Sequence, residues 1–200
     1  MAIVWPTELD VDGYVSTGRE VVVPRPDCPE CRQPMRFWGW YERDVRVSAD
    51  VIRRLEVRRG HCRECGRTHA LLPGFVTWGR LDVVEVIGSA VEAMCAGTGM
   101  RQVAGGLDLK HTTVRDWRRR FARRAGLLAA GFCRFCVAVG DLAPRLWGRP
   151  EVVAVGAVAA AWSVARRRFG EGVGSLWRFA NAVVGGHLLS TNTDPPWAAV

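Results

Sequence analysis

Lysine is almost missing from this sequence: of 28 basic residues, Lys110 is the single lysine and the rest are arginine. Tyrosine is nearly as scarce, with two in 200 residues. No apolar run is long enough to cross a bilayer. The longest nearly uncharged stretch, Val152 to Ala165, spans 14 residues, against the roughly 18–20 a spanning helix needs. The opening MAIVWPTELD has no basic segment followed by an apolar one, so no secretory signal is expected. Acids thin out toward the end: after residue 125 only Asp141, Glu151, Glu171 and Asp194 remain, spread over expected helices and loops. Metal-dependent strand transfer needs two or three convergent carboxylates, so the chain is expected not to be an enzyme. These absences together predict a cytoplasmic, nucleoid-associated protein with no membrane partner.

What is present is basic. Lysine and arginine exceed aspartate and glutamate by 28 to 20, a formal charge of +8, and the pI is near 9.7. Such a balance favours an anionic partner. A GC-rich genome also enriches arginine, so the placement of the charge has to decide. An apolar content of 48% supports a folded core.

Three segments separate by pattern. Residues 1–80 are rich in proline, arginine and aromatic residues, and Arg54-Leu55-Glu56-Val57-Arg58 alternates with the period of a half-buried strand. Gly39, Gly60 and Gly66 are expected in tight turns. This part reads as a small β-rich unit too poor in apolar residues to fold unaided. From Asp82 the period becomes helical, with Val83, Ile87, Ala90 or Val91, and Met94 on one face, and Asp82 with Glu85 predicts a capping box. Short helices are expected at Met100–Gly106 and from His111 to about Ala125, with Gly126 as a stop. Residues 127–200 read as a helical packing or dimerisation region. There Pro150 and Gly170 bracket a helix whose stripe is Val152, Val155, Ala159, Trp162 and Phe169, and another runs from Ser175 to Val184. Ser190 to Trp197 is loop chemistry. The expected fold class is α+β: an N-terminal zinc ribbon (1–80), a helix-turn-helix (81–126) and the C-terminal helical region.

Seven cysteines without a signal peptide suggest a reducing compartment, where paired cysteines more often bind metal than form disulfides. Cys28-Pro29-Glu30-Cys31 and Cys62-Arg63-Glu64-Cys65 are two CxxC pairs separated by 30 residues, a length that can hold the strands of a ribbon. Two residues between thiolates let both face one ion, and two such turns complete a tetrahedron suited to a structural Zn2+ with no open position. His61 and His69 are read as neighbours of the site. Arg58, Arg59, Arg63 and Arg67 crowd the second pair, where they can stabilise the anionic cluster or touch phosphate. Cys133, Cys136 and Cys95 are read as buried structural cysteines.

Residues 100–120, MRQVAGGLDLKHTTVRDWRRR, carry the helix-turn-helix pattern. Ala104 is the small residue at the helix crossing, and Val103, Leu107, Leu109, Val114 and Trp117 fill the apolar positions. Asp108 stands where glycine is usual, and tolerates left-handed backbone better than most residues; Lys110 stands where a capping serine is common. With Val114, Trp117 and Phe121 inward, the other side displays Thr112, Arg115, Asp116 and Arg119, led by His111, for base edges in a major groove. Arg101, Lys110, Arg118, Arg120 and Arg123 are expected to hold phosphates. From Lys110 to Arg124 seven basic residues face one acid, so much of the net charge sits on one helix.

The segments CPECRQPMRFWGW (28–40), CRECGRTHALLP (62–73), EVIGSAVEAMCAGTGMRQVA (85–104), TTVRDWRRRF (112–121) and GGHLLSTNTDPPW (185–197) resemble an actinobacterial family of uncharacterised proteins with a zinc ribbon followed by a helix-turn-helix. That family is similar to the N-terminal modules of transposases. The resemblance implies a transposon-associated, double-stranded-DNA-binding protein. Residues and resemblance together predict a zinc-stabilised DNA-binding regulator or transposition accessory factor, with a homodimer or a transposase as possible partner. The alternative is a protein–protein interaction module in which the ribbon and the C-terminal helices grip a partner such as a transposase.

Overall fold

A computed structural model describes residues 2–190; the expected Asn192–Trp197 loop lies outside them. The architecture is mixed α+β, with four strands and six α-helices among the described residues. Strand β1 (Ala2–Trp5) and helix α1 (Val11–Thr17) come first, and neither was expected. The hairpin β2 (Arg36–Ser48) and β3 (Val51–His61) follows, then β4 (Thr68–Pro73). Helices α2 (Val84–Cys95), α3 (Met100–Gly106), α4 (His111–Ala138), α5 (Pro150–Phe169) and α6 (Leu176–Val183) complete the chain. None of these helices is long and apolar enough to cross a membrane.

The sheet order is β1-β4-β3-β2, with β1 parallel to β4 and the other pairs antiparallel. The alternation at Arg54–Arg58 lies within β3, where Leu55 and Val57 are fully buried. Contrary to expectation, this unit has an apolar core of its own. β1 and α1 bring Val4, Trp5, Val11 and Tyr14 against Leu71, Leu72, Phe75 and Val76. The Tyr14 ring meets Phe75 edge-on at 5.7 Å, and its hydroxyl donates to the Glu56 carbonyl at 3.1 Å. Two of the expected glycine turns are also corrected. Gly39 sits at a β-bulge with φ 153°, and Gly60 lies inside β3 beneath Met35. Gly66 alone is a turn residue, with φ 69°.

The capping box at α2 does not form. The N-cap is Val83, because Asp82 pairs with Arg46 of β2 at 2.7 Å and Glu85 is taken by Arg178 of α6. A second correction concerns α4, a single 28-residue helix in which Gly126 is interior. Glycine there costs about 1 kcal/mol relative to alanine. Yet Leu128, Ala129, Phe132 and Cys136 extend the buried stripe begun by Val114, Trp117, Phe121 and Ala125, so packing outweighs propensity. A boundary drawn at 126 therefore cuts through a helix. α5 buries a different face from the one expected: Ala154, Ala157, Val158, Ala161, Val164 and Ala165 face inward, while Phe169 is exposed. Small side chains let its backbone approach neighbouring helices closely.

α6 fastens the two cores together. Asn181 is fully buried, and its Nδ2 donates to the carbonyls of Gly74 at 2.8 Å and Val76 at 3.0 Å. Arg178 donates to the Leu9 carbonyl at 2.9 Å. Trp177 lies against Gly88 of α2, where any Cβ would collide with the indole.

Candidate functional site

Each cysteine pair sits in a tight knuckle closed by backbone hydrogen bonds. Cys28 N–H donates to Gln33 O at 2.8 Å and Cys62 N–H to Arg67 O at 2.9 Å. The residue after each pair is left-handed, Arg32 at φ 58° and Gly66 at φ 69°. Glycine adopts that conformation freely; arginine does so at a cost. β2 and β3 fill the long spacer and carry the second knuckle back to the first.

The four sulfurs converge. Cys28, Cys31, Cys62 and Cys65 Sγ all lie within 4.8 Å of one another. The Cys31–Cys62 separation is 3.4 Å and the Cys28–Cys65 separation 3.6 Å. A tetrahedral ion with metal–sulfur bonds of about 2.3 Å spaces its ligands at roughly 3.8 Å, so the residues present fit a four-coordinate metal. The thiols differ in acidity. The Cys62 thiol is pulled down to about 7, chiefly by the Cys65 backbone N–H. Cys31 is held up at about 12: the Gln33 N–H favours its thiolate, but burial and the neighbouring Cys62, Cys28 and Cys65 thiols oppose it more strongly. Four thiols this close ionise together only around a cation.

The neighbours of the cluster divide by role. His69 is buried with Nε2 3.7 Å from Cys28 Sγ, a hydrogen-bonding position outside the four-sulfur set, and burial lowers its pKa. His61 stacks on Trp38. Arg59 donates to Thr68 Oγ1 at 3.0 Å, and Arg67 pairs with Glu30 at 3.1 Å. Arg63 is exposed. The structure keeps Cys133, Cys136 and Cys95 away from this cluster. Cys136 is buried on α4, and Cys133 and Cys95 are half-buried against the helical core.

The second candidate surface is the start of α4. α3 and α4 are joined by a four-residue turn whose Asp108 has φ 49°, and Leu109 N–H donates to Ala104 O at 2.9 Å. Ala104 and Val103 are buried, as are Val114, Trp117 and Phe121, whereas Leu107 and Leu109 are half-buried against them. Burying those three at i, i+3 and i+7 forces the intervening residues outward. Thr112, Arg115, Arg119 and Arg123 are exposed, as are Arg101, Lys110, His111 and Arg118. Arg118 stands on a flank, beside Arg149 and Glu151, rather than among the others.

Two predicted contact residues are placed differently. Asp116 Oδ2 accepts from Arg120 Nε at 2.7 Å and lies 3.3 Å from Arg80 Nη1. Arg80 is in turn tied to the hairpin, where Arg43 donates to the Thr77 carbonyl at 3.1 Å and to the Arg80 carbonyl at 2.5 Å. Asp116 therefore links α4 to Arg80, and Arg120 pairs with Asp116 along the same helix. The buried Arg124 likewise donates to the Ser190 carbonyl.

One grouping escaped the sequence reading. Along β2, arginines stack on aromatic rings: Arg58 over Phe37 at 4.5 Å and Trp40 at 4.6 Å, Arg25 over Phe37 at 5.2 Å, and Arg36 over Trp38 at 5.1 Å. The signal was the string RFWGWY, whose bulge at Gly39 breaks the alternation that would have sorted its faces.

Residues 28–117 match the model of a family described as a domain of unknown function, DUF6431. The matched span begins on the first cysteine of the cluster and ends on Trp117, the central core residue of the exposed half of α4. No curated protein and no solved structure matches the chain significantly.

Proposed function

We propose that this protein is a zinc-stabilised DNA-binding protein, a transcriptional regulator or an accessory factor in transposition. The four-thiolate set is the donor chemistry of structural Zn2+, a closed shell that braces the β2–β3 end and leaves no position for a reacting water. The observation that carries the reading is the exposed row Thr112, Arg115, Arg119 and Arg123 on a helix held rigidly from behind by Val114, Trp117 and Phe121.

In this reading the exposed Arg115 and Arg119 pair with guanine O6 and N7, and Thr112 contacts an adjacent base edge. Arg101, Lys110, Arg118 and Arg123 supply phosphate contacts. Asp116, with Arg120 paired to it, serves instead to hold the helix against Arg80. With four to six cations engaged, the log–log slope of duplex affinity against salt is expected at about −4 to −5. A salt titration by fluorescence anisotropy on a pool of random duplexes, followed by site selection from that pool, tests this. Affinity independent of salt, or no duplex binding at low ionic strength, overturns it.

The interaction-module alternative sets the C-terminal helices against a partner through Trp162 or Trp177; Trp162 is half-buried and its Nε1 already donates to the Gly174 carbonyl at 2.9 Å. Trp177 is 5% exposed and packed in the protein's own core, so no specific observation favours that reading.

A further inference from the structure

The arginines of the β2–β3 hairpin fall into two populations. Away from the knuckles each has a fixed acceptor: Arg46 pairs with Asp82 at 2.7 Å, Arg53 with Asp12 at 2.6 Å and Arg54 with Asp44 at 3.0 Å, while Arg43 donates to the Thr77 and Arg80 carbonyls. At the knuckle end the pattern reverses. None of the ion pairs among the described residues includes Arg36 or Arg58 of the hairpin, or Arg25 of the segment that precedes it. Their guanidinium groups lie over Phe37, Trp38 and Trp40 instead. A ring fixes the plane of a guanidinium while leaving its N–H edge open to an anion.

The rings are accessible as well. Trp38 is 55% exposed, with its ring centroid 5.0 Å from that of His61. β2 is an edge strand of the sheet. The bulge at Phe37/Gly39 sorts the rings into two groups along this edge, Phe37 and Trp40 with Arg58, and Trp38 with Arg36 and His61. Apolar π-faces interleaved with uncompensated cations are what a strand of unpaired nucleotides recognises: bases stack on the rings and phosphates meet the arginines. A duplex hides its base faces, and an acidic peptide has nothing to stack.

We infer that the knuckle-proximal edge of β2 is a second nucleic-acid site, one that binds single-stranded nucleic acid through Trp38 stacking and through Arg25, Arg36 and Arg58. This site is separate from α4 and does not depend on the duplex-binding reading.

The test uses the full-length, zinc-loaded protein and a fluorescein-labelled oligothymidylate of about 12 nucleotides. Binding is expected, with Trp38→Ala weakening it about tenfold and Trp38→Phe, which keeps a ring, restoring most of it. Arg36→Gln, an exposed change, provides a second weakening variant; zinc content and far-UV circular dichroism confirm that each variant folds. The double variant R115A/R119A is expected to retain strand binding while losing duplex binding, so the two sites fail separately. Failure of oligothymidylate to bind, or equal binding by Trp38→Ala, overturns the inference. So does displacement by polyphosphate or polyglutamate as efficient as by unlabelled oligothymidylate, which would make the edge a general anion or acidic-peptide surface.

Discussion

Replacing Gly88 by alanine sets two effects of opposite sign against each other. Gly88 lies inside α2, where alanine is favoured over glycine by about 1 kcal/mol. Helix propensity alone therefore predicts stabilisation. The tertiary structure predicts the reverse, because a Cβ at this position falls well under 3.0 Å from Cγ, Cδ1 and Cδ2 of Trp177. Those atoms form the root of the indole, not the tip of a flexible chain. The ring has no room to retreat: it is 5% exposed, with Phe121 edge-on at 6.5 Å. Relief requires α6 to lift from α2, which pulls on the Asn181 bonds to Gly74 and Val76. Overpacking of this kind costs about 1–3 kcal/mol, and the position of the clash puts it at the upper end. Net of propensity, a loss of about 2 kcal/mol is expected. Urea unfolding followed at 222 nm with zinc saturating should show a midpoint lower by about 1 M at unchanged slope. The double variant Gly88→Ala with Trp177→Leu should recover part of the loss, since the smaller side chain vacates the overlap. A raised midpoint for Gly88→Ala alone would refute the reasoning.

Asp108→Gly relieves a left-handed residue in the α3–α4 turn and should stabilise the protein by up to about 1 kcal/mol, seen as a higher Tm with duplex affinity unchanged; a lower Tm would mean the Asp108 side chain serves the turn. Asn181→Ala leaves two buried carbonyls without donors and should cost about 2–3 kcal/mol in chemical denaturation. A cost under half a kilocalorie would show that water replaces the amide. Burial, followed by the charge of Arg124, lowers the pKa of His187 below its ordinary 6.5. The unfolded chain then takes up the proton first, so stability should decline as pH falls below about 6.5 and level off below the folded pKa. The His187→Gln variant should show a shallower decline, and an identical profile would assign the effect elsewhere. Metal analysis of the purified protein should return one zinc per chain; chelation or Cys62→Ser should raise amide exchange in β2, β3 and β4 while the protection of α4 and α5 persists. Uniform loss of protection would show that the metal supports both cores.

Much of the site was legible because its residues are local. CxxC spacing dictates that two thiolates share a turn, and a second pair calls for the first, so the four-cysteine cluster needed no tertiary information beyond a hairpin to join the knuckles. The exposed face of α4 was readable for a similar reason: burying Val114, Trp117 and Phe121 leaves Arg115 and Arg119 on the other side of any helix. Asp116 and Arg120 look equally available by that logic. Only the position of Arg80, 36 residues upstream of Asp116, makes Asp116 a tether, with Arg120 paired to it along the helix.

The amino-acid order by itself thus determined the pair of knuckles, the short α3, the start of α4 and the helix between Pro150 and Gly170, each set by contacts within a few residues. The tertiary structure decided the rest. It carried α4 past Gly126 through packing on distant helices, chose the alanine face of α5 because backbone proximity outweighs side-chain size, and withdrew Asp82 from its cap to meet Arg46. It also brought β1 and α1 to complete a core that composition alone had made to look too thin. These outcomes depend on partners tens of residues away, whose approach no local period encodes.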